Sequence, residues 1–385
     1  MPSTVDTWPT KDGFRVGYLN IRSAINKKDH IASILHNSGN AFHMFCFAES
    51  RLTDVMTKTM KIPGYEIEPL EPQAPLSTRL ILYYSSAIGL KRKYSIEAHG
   101  IEAIWVEISF KGCKPILYGF LYRNPAERVD WHDRFNDMMD AAILENKELI
   151  MFGDFNIDQL TPDLKWKRNC DTLGLELLND LPTRITKNKQ SLIDHIYATC
   201  KQHITEICCP KYGCSDHFPI CITWAKKHIK IPKAGHKEIY YRCFSKFDKD
   251  SFLHDLFNSG LEHVYQLRDP DAAIEHWINT FLSVYNRHAP FQKKRVRHMT
   301  KPLWLTSEIE KEIHYRDYLV KSGTHDQIQS QRNKITSLLR KSKMKYAKDL
   351  TSSSKSPKVL WNAINKLTNK STKQQQQHQE LPLTR

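Results

Sequence analysis

Apolar residues in the first part of the chain gather into short runs that stop abruptly at polar clusters. Phe14-Arg15-Val16-Gly17-Tyr18-Leu19 runs into Asn20-Ile21-Arg22, and Phe42-His43-Met44-Phe45-Cys46-Phe47 into Ala48-Glu49-Ser50. Pro115-Ile116-Leu117-Tyr118-Gly119-Phe120-Leu121 leads to Tyr122-Arg123-Asn124-Pro125, and Leu149-Ile150-Met151-Phe152 to Gly153-Asp154-Phe155-Asn156. Runs of this length rich in Phe, Ile and Tyr predict buried strands, which puts the polar groups at strand ends, where loops gather functional residues on a rigid scaffold. Amphipathic stretches at 28–35 and 134–144 alternate with the runs, so the pattern predicts an α/β domain.

Beyond Trp224 the pattern changes. Residues 226–233 are basic and punctuated by Pro232, a linker signal. Residues 252–288 carry Leu253, Leu256, Phe257, Ile274, Trp277, Ile278 and Phe281 at helical spacing. Ser307-Glu308-Ile309-Glu310 matches a capping box, predicting a helix that runs to Lys321 before Gly323 stops it. A second helix, 326–350, would hold Ile328, Ile335, Leu338 and Leu339 on one face, with Arg332, Lys334, Arg340, Lys341, Lys343 and Lys345 around the rest. Gln374 to Gln377 lie in a low-complexity stretch expected to be disordered. The expected organisation is an N-terminal extension (1–12), a catalytic domain (13–224), a linker and helical region (225–303), a basic helical connector (304–369) and a Gln-rich tail (370–385).

Charge sharpens this division. Through residue 224 there are 26 Lys+Arg against 27 Asp+Glu, so of the chain totals of 57 and 42 the remainder holds 31 against 15. The positive excess lies in the later part, which favours a polyanion such as DNA or RNA as partner, or else forms a solvated basic face. The nine cysteines follow no repeating frame. They imply a reduced intracellular setting, nuclear if DNA is the target, and no run has the length to span a bilayer. Cys208, Cys209, Cys214 and Cys221 lack CxxC spacing and read as buried thiols rather than zinc ligands.

The polar clusters contain the groups that phosphodiester hydrolysis needs: a water activated as nucleophile, a balanced phosphate charge and help for the leaving alkoxide. Glu49 is the candidate ligand for Mg²⁺, or Mn²⁺ in its place, since a hard cation takes carboxylate oxygen, and Asn20 and Asp216 would complete or support that sphere. A strand-end Glu also pairs readily with an arginine, here Arg51. Asp154 and Asn156 would point to one side of an extended segment with Phe155 on the other, and Gly153 would permit close backbone approach; a Gly-Asp turn with an Asn cap is the alternative. Asp194 would fix and charge His217, which could then stabilise a pentacovalent phosphate. Tyr122 offers a phenol and Arg123 a cation to the same phosphate.

Taken in order, with Ser191-Leu192-Ile193-Asp194-His195 and Ser215-Asp216-His217, these clusters resemble the endonuclease/exonuclease/phosphatase family. The likeness is greatest to the apurinic-endonuclease-like nuclease of non-LTR (LINE-type) retrotransposons, over residues 13–224. The resemblance implies a four-layer sandwich of two packed mixed β-sheets flanked by helices, followed by a mainly helical basic tail. It also implies that Asp154 orients the attacking water, Asn156 binds the phosphate, Asp194 orients His217, and Ser191 contacts DNA. The implied activity is a Mg²⁺-dependent DNA endonuclease that nicks target DNA for retrotransposition, without the reverse transcriptase, for which no Tyr-x-Asp-Asp sequence is present. Trp304-Leu305-Thr306 and residues 358–362 resemble the connector to that polymerase. Asn124 stands where the family often has proline, and Pro75-Leu76-Ser77-Thr78-Arg79 replaces a Gly-rich stretch. A catalytically silent nucleic-acid-binding fragment and a repair-type apurinic endonuclease are the alternatives.

Overall fold

Two six-stranded sheets lie face to face between helices, in a computed structural model that describes residues 3–36, 41–70, 77–126, 130–161, 163–186, 189–227, 229–231, 236–297 and 304–352. Pro75, Leu76, residues 358–362 and the Gln-rich tail fall outside the described residues. In chain order the elements are β1 (Phe14–Asn20), α1 (Lys28–His36), β2 (Met44–Ala48), α2 (Asp54–Thr59), β3 (Tyr65–Pro69), β4 (Ile81–Ser85), β5 (Leu90–Arg92) and β6 (Glu102–Ile108). Then come β7 (Ile116–Tyr122), α3 (Trp131–Leu144), β8 (Glu148–Asp154), α4 (Leu164–Thr172), β9 (Glu176–Leu177), β10 (Arg184–Ile185), β11 (Gln190–Ser191) and β12 (Asp194–Ala198). The last are β13 (Ile204–Cys208), β14 (Ile220–Trp224), β15 (His236–Arg242), α5 (Lys249–Phe257), α6 (Pro270–His288), β16 (Phe291–Arg297), α7 (Ser307–Ser322) and α8 (His325–Ser352).

The first sheet runs β13-β14-β1-β2-β4-β3 and the second β5-β6-β7-β8-β12-β9. Each is mixed: β1 and β2 pair in parallel, as do β7 and β8, and the other neighbours are antiparallel. Strand alternation sorts the side chains. Phe14, Val16 and Tyr18 of β1, Tyr118 and Phe120 of β7, Ile150 and Phe152 of β8 and Ile196 and Ala198 of β12 fill the space between the sheets. The opposite face of the first sheet packs Phe45 and Phe47 against Ile31, Ile34 and Leu35 of α1. That of the second packs Trp105 and Met151 against Phe135, Met138 and Trp166 of α3 and α4. The four layers expected from the sequence are therefore helix, sheet, sheet, helix. No described helix is long and apolar enough to cross a membrane, and all nine cysteines are free thiols.

The chain divides into two compact units, one of residues 1–235 with 299–385 and one of residues 236–298. In the second, β15 and β16 form an antiparallel ribbon, and the chain between them forms α5, a 3-10 turn (Leu261–Gln266) and α6. The helices match the spacing read from the sequence, whereas the lysine-rich ribbon strands carry no alternating apolar signal. In the first unit, α7 and α8 form a hairpin with a small core of Ile309, Ile335 and Leu339. Its cap lies one residue before the expected one, because Thr306 Oγ1, not Ser307, accepts the Ile309 amide at 3.4 Å.

Tyr18 joins the sheets by a polar contact inside an apolar core. Its buried hydroxyl donates to Leu121 O at 2.6 Å and accepts the Asp154 amide at 3.0 Å. Tyr18→Phe removes both of these bonds in the interior, so it should lower stability by about 1–3 kcal/mol. The check is the urea midpoint, which should fall at unchanged m-value.

Candidate active site

Four of the polar residues singled out from the sequence continue the rows that fill the inter-sheet space. Asn20 follows Tyr18 by two positions, Tyr122 follows Phe120, Asp154 follows Phe152 and Asp194 precedes Ile196, so each takes the last inward-facing place on its strand. Tyr122 and Asp194 both lie in register with Asp154, on the two strands flanking β8. The interior rows of both sheets thus end in one polar cluster at a single edge of the sandwich.

Hydrogen bonds connect the cluster. Asn20 Nδ2 donates to Glu49 Oε1 and to Asp154 Oδ2, each at 2.8 Å, and the Tyr122 hydroxyl donates to Glu49 Oε1 at 3.2 Å. His217 Nδ1 lies 2.8 Å from Asp194 Oδ2 and 3.9 Å from Asp154 Oδ2. Asp154, Asp194 and His217 form the site's one close grouping of carboxylate and imidazole atoms among the described residues. Asp194 is itself held: Thr183 Oγ1 accepts its amide and Asn179 Nδ2 donates to its carbonyl. Among the described residues its Oδ1 has no hydrogen-bond partner, and its Oδ2 is the oxygen that meets His217.

Burial and charge set the protonation states. Burial pushes Asp154 up to about 7, and the neighbouring Asp194 adds to this, against the His217 charge and the Asn20 amide. Burial alone would depress His217, but the charge and hydrogen bond of Asp194, with Asp154 and Asp216, raise it to about 9. The Glu49 carboxyl stays below its usual value: burial is outweighed by the Asn20 hydrogen bond, Arg22, Tyr122 and Arg51. Burial, then Glu49 and Asp154, raise Tyr122, which keeps its phenol as a donor.

The other predicted residues occupy the rim. After Phe155 the chain turns instead of continuing extended: Asn156 has φ +51°, its amide donates to Asp154 Oδ1 at 3.1 Å, and its Nδ2 donates to Arg123 O at 2.6 Å. Phe155 stacks on His195, whose ring bonds Leu192 O and serves the core. A Cβ on Gly153 would meet Phe155 at 2.8 Å and Leu121 O at 3.0 Å, the close approach read from the sequence. Arg123 Nη1 donates to Phe155 O and its guanidinium lies over Trp131. Ser191 is buried on β11, in a ribbon with β10. Asp216 pairs with Arg22 at 3.3 Å and Arg184 at 3.2 Å, two partners that no local pattern announced. Left-handed backbone at Arg22, Ser23, Glu49, Arg51 and Asn156 surrounds the cluster, and such strain persists only where the surroundings enforce it.

For a hard divalent cation the donor set is oxygen, and an ionised, half-buried Glu49 fits it. Asn20 presents its amide nitrogen to Glu49, so coordination through oxygen requires the amide to turn. Asp216 would have to share its charge with two guanidinium groups. A second grouping, Glu148, Cys200 and His203, lies at the other end of β8, where Glu148 accepts from Trp224 Nε1 and pairs with His203.

No protein-family model matches the chain, and no curated protein matches it. Solved structures similar to it include an endonuclease/exonuclease/phosphatase family protein from Leptotrichia buccalis C-1013-b at 14% identity and TM-score 0.42, covering 57% of this chain and 100% of that one. It is also similar to the endonuclease domain of TRAS1, a telomere-specific non-LTR retrotransposon, at 14% identity and TM-score 0.45, over 56% of this chain and 99% of that chain. The 3'-5' exonuclease NExo from Neisseria meningitidis matches at 14% identity and TM-score 0.43, over 55% of this chain and all of that one. At these identities and scores, none of them assigns an activity to this chain.

His217 gives a direct test of the electrostatics. Its folded value lies above the ordinary 6.5, so the Asp194 pairing stabilises the fold fully below about pH 6.5 and is lost as pH rises through about 9. Ring NMR of metal-free protein should show His217 protonated at neutrality and titrating near pH 9. Asp194→Asn should lower that midpoint by about one unit or more; an unmoved midpoint refutes the pairing.

Proposed function

We propose that this chain is a divalent-metal-dependent DNA endonuclease of the endonuclease/exonuclease/phosphatase family, of the kind that nicks target DNA for a non-LTR retrotransposon. One observation carries the reading: Asn20, Glu49, Tyr122, Asp154, Asp194 and His217, drawn from both sheets, meet in one cluster of hydrogen bonds and ion pairs at the sandwich edge. Cutting DNA implies a nuclear setting.

Each side chain then has a task. Asp154, with a value near neutrality, accepts a proton from the attacking water or orients it. His217 holds its proton at Nδ1 against Asp194, which leaves Nε2–H to donate to a phosphate oxygen as negative charge develops there. The Tyr122 phenol and the Asn156 amide supply further donors to the phosphate, with Arg123 as a DNA contact and Ser191 as another once its buried hydroxyl is reached. Glu49 would hold Mg²⁺ or Mn²⁺, with Asn20 and Asp216 as secondary ligands; such an ion, when bound, offsets charge on the phosphate and the leaving oxygen. The basic later part of the chain adds attraction for DNA or the element's RNA.

The test is relaxation of supercoiled plasmid by the full chain with Mg²⁺ and with EDTA. Nicking with Mg²⁺ alone is expected; DNA binding without nicking under any divalent ion would leave a silent binding protein. Glu49→Gln should abolish nicking with the melting temperature unchanged. Asp154→Asn and His217→Ala should each lower single-turnover rates at least about a hundredfold. A variant retaining more than about a tenth of the wild-type rate loses its assigned role.

A further inference from the structure

The loop that delivers Asp216 and His217 has no regular secondary structure over residues 212–216, so its backbone groups must find partners elsewhere. The Gly213 amide and the Gly213 and Ser215 carbonyls find them on α7 and α8, more than a hundred residues later, while the Tyr212 amide and the Asp216 carbonyl are met by Pro210 and Ile185. Arg332 Nε donates to Gly213 O at 2.6 Å, and its Nη2 donates to Ser215 O. Asp317 Oδ1 accepts the Gly213 amide at 3.1 Å, and Arg316 Nε and Nη2 donate to the same oxygen at 2.9 and 2.6 Å. The buried Arg316 guanidinium lies over the Tyr212 ring at 4.5 Å. A Cβ on Gly213 would meet Val320 at 2.7 Å and Arg316 at 3.0 Å, so only glycine allows the helix this close.

We propose that Arg332 is a positioning residue of the nuclease site: its planar guanidinium spans the carbonyls on either side of Cys214 and fixes the loop bearing Asp216 and His217. The inference rests on the reading of the site as a nuclease. A guanidinium fork donating two directed bonds holds two carbonyls at a set separation, which a lysine, with one compact charge, does not. The grip passes onward through Ser215, whose Oγ donates to Asn20 O at 2.7 Å and accepts the His217 amide at 3.4 Å. Arg332 thus acts through main-chain atoms on Asn20, whose side-chain amide orders Glu49 and Asp154, and on His217 opposite. Further along, α8 is pinned to α1: Lys343 pairs with Asp29 at 2.5 Å, Trp304 Nε1 donates to the same carboxylate at 3.1 Å, and Ser342 Oγ donates to Trp304 O at 2.6 Å. The hairpin is seated at both ends.

The experiment uses the full chain with Arg332→Ala and Arg332→Lys, reading plasmid nicking with Mg²⁺ and hydrogen exchange of the peptide over residues 212–218. Misplacing a reacting group by about 1 Å costs up to about a hundredfold. Arg332→Ala should therefore lower kcat about ten- to a hundredfold with KM within about twofold, and Arg332→Lys should lose less. Exchange in the 212–218 peptide should accelerate while strands β7 and β8 stay protected. A fall in melting temperature alone, with kcat per folded molecule unchanged, overturns the proposal. Should Arg332→Ala not fold, Arg332→Lys and Asp317→Asn decide by the same two readouts. Should wild type not nick, the nuclease reading fails by itself, and unchanged exchange in the variants would still overturn the clamp.

Discussion

Asn20 gives one amide hydrogen to Glu49 and the other to Asp154, and that pair of bonds is the constraint on which the cluster turns. Asn20 and Glu49 belong to the first sheet's edge and Asp154 to the second, so the bonds require the sheets to keep their spacing at the rim. Tyr18, one inward step back on the same strand, enforces that spacing from within the core. An amide suits the position better than a charge. A cation there would pair with both carboxylates and lower Asp154, whereas a neutral donor orders the two and opposes the rise of Asp154 by less than burial and Asp194 produce it.

The acid–imidazole grouping follows from the same geometry. Three carboxylates, Asp154, Asp194 and Asp216, surround one imidazole whose environment would otherwise expel its charge. A buried cation is tolerable only when its compensation is close and itself held, and Asp194 is held by Thr183 and Asn179 through its backbone. Asp216 is restrained differently, by Arg22 and Arg184 at the surface, and its carboxyl lies below the usual range: burial is outweighed by His217 and the two arginines. Adjacent residues in the chain thus serve opposite surroundings, His217 facing the interior and Asp216 the rim.

Much of this was legible in the sequence because strand alternation is strict. Once Phe152 and Phe120 are read as inward-facing, Asp154 and Tyr122 must follow them inward, whereas the four-layer order came from the family resemblance, since the apolar pattern by itself gives only an α/β domain. Asn156 was less legible, since the period of two ends where the chain turns, and a left-handed residue after Phe155 carries no periodicity. Local patterns also say nothing about partners distant in the chain. Thr183 immediately precedes and Arg184 opens the two-residue strand β10, too short to show a pattern, yet they grip Asp194 and Asp216. Arg332 reads as one more basic residue on the polar side of an amphipathic helix, but it turns inward to two carbonyls.

That last case shows how charge counts mislead in a basic segment. The positive excess after residue 224 reads as a single electrostatic feature, but its members do different work. Arg316 is buried over an aromatic ring, Arg332 is half-buried on a loop, and Lys343 is committed to Asp29, while Arg340, Lys341 and Lys345 remain exposed. Only the exposed ones are available to a polyanion without giving up an internal partner. A salt-dependent attraction for nucleic acid therefore draws on fewer charges than composition suggests, because several arginines and lysines of α7 and α8 already balance carboxylates or carbonyls within the fold.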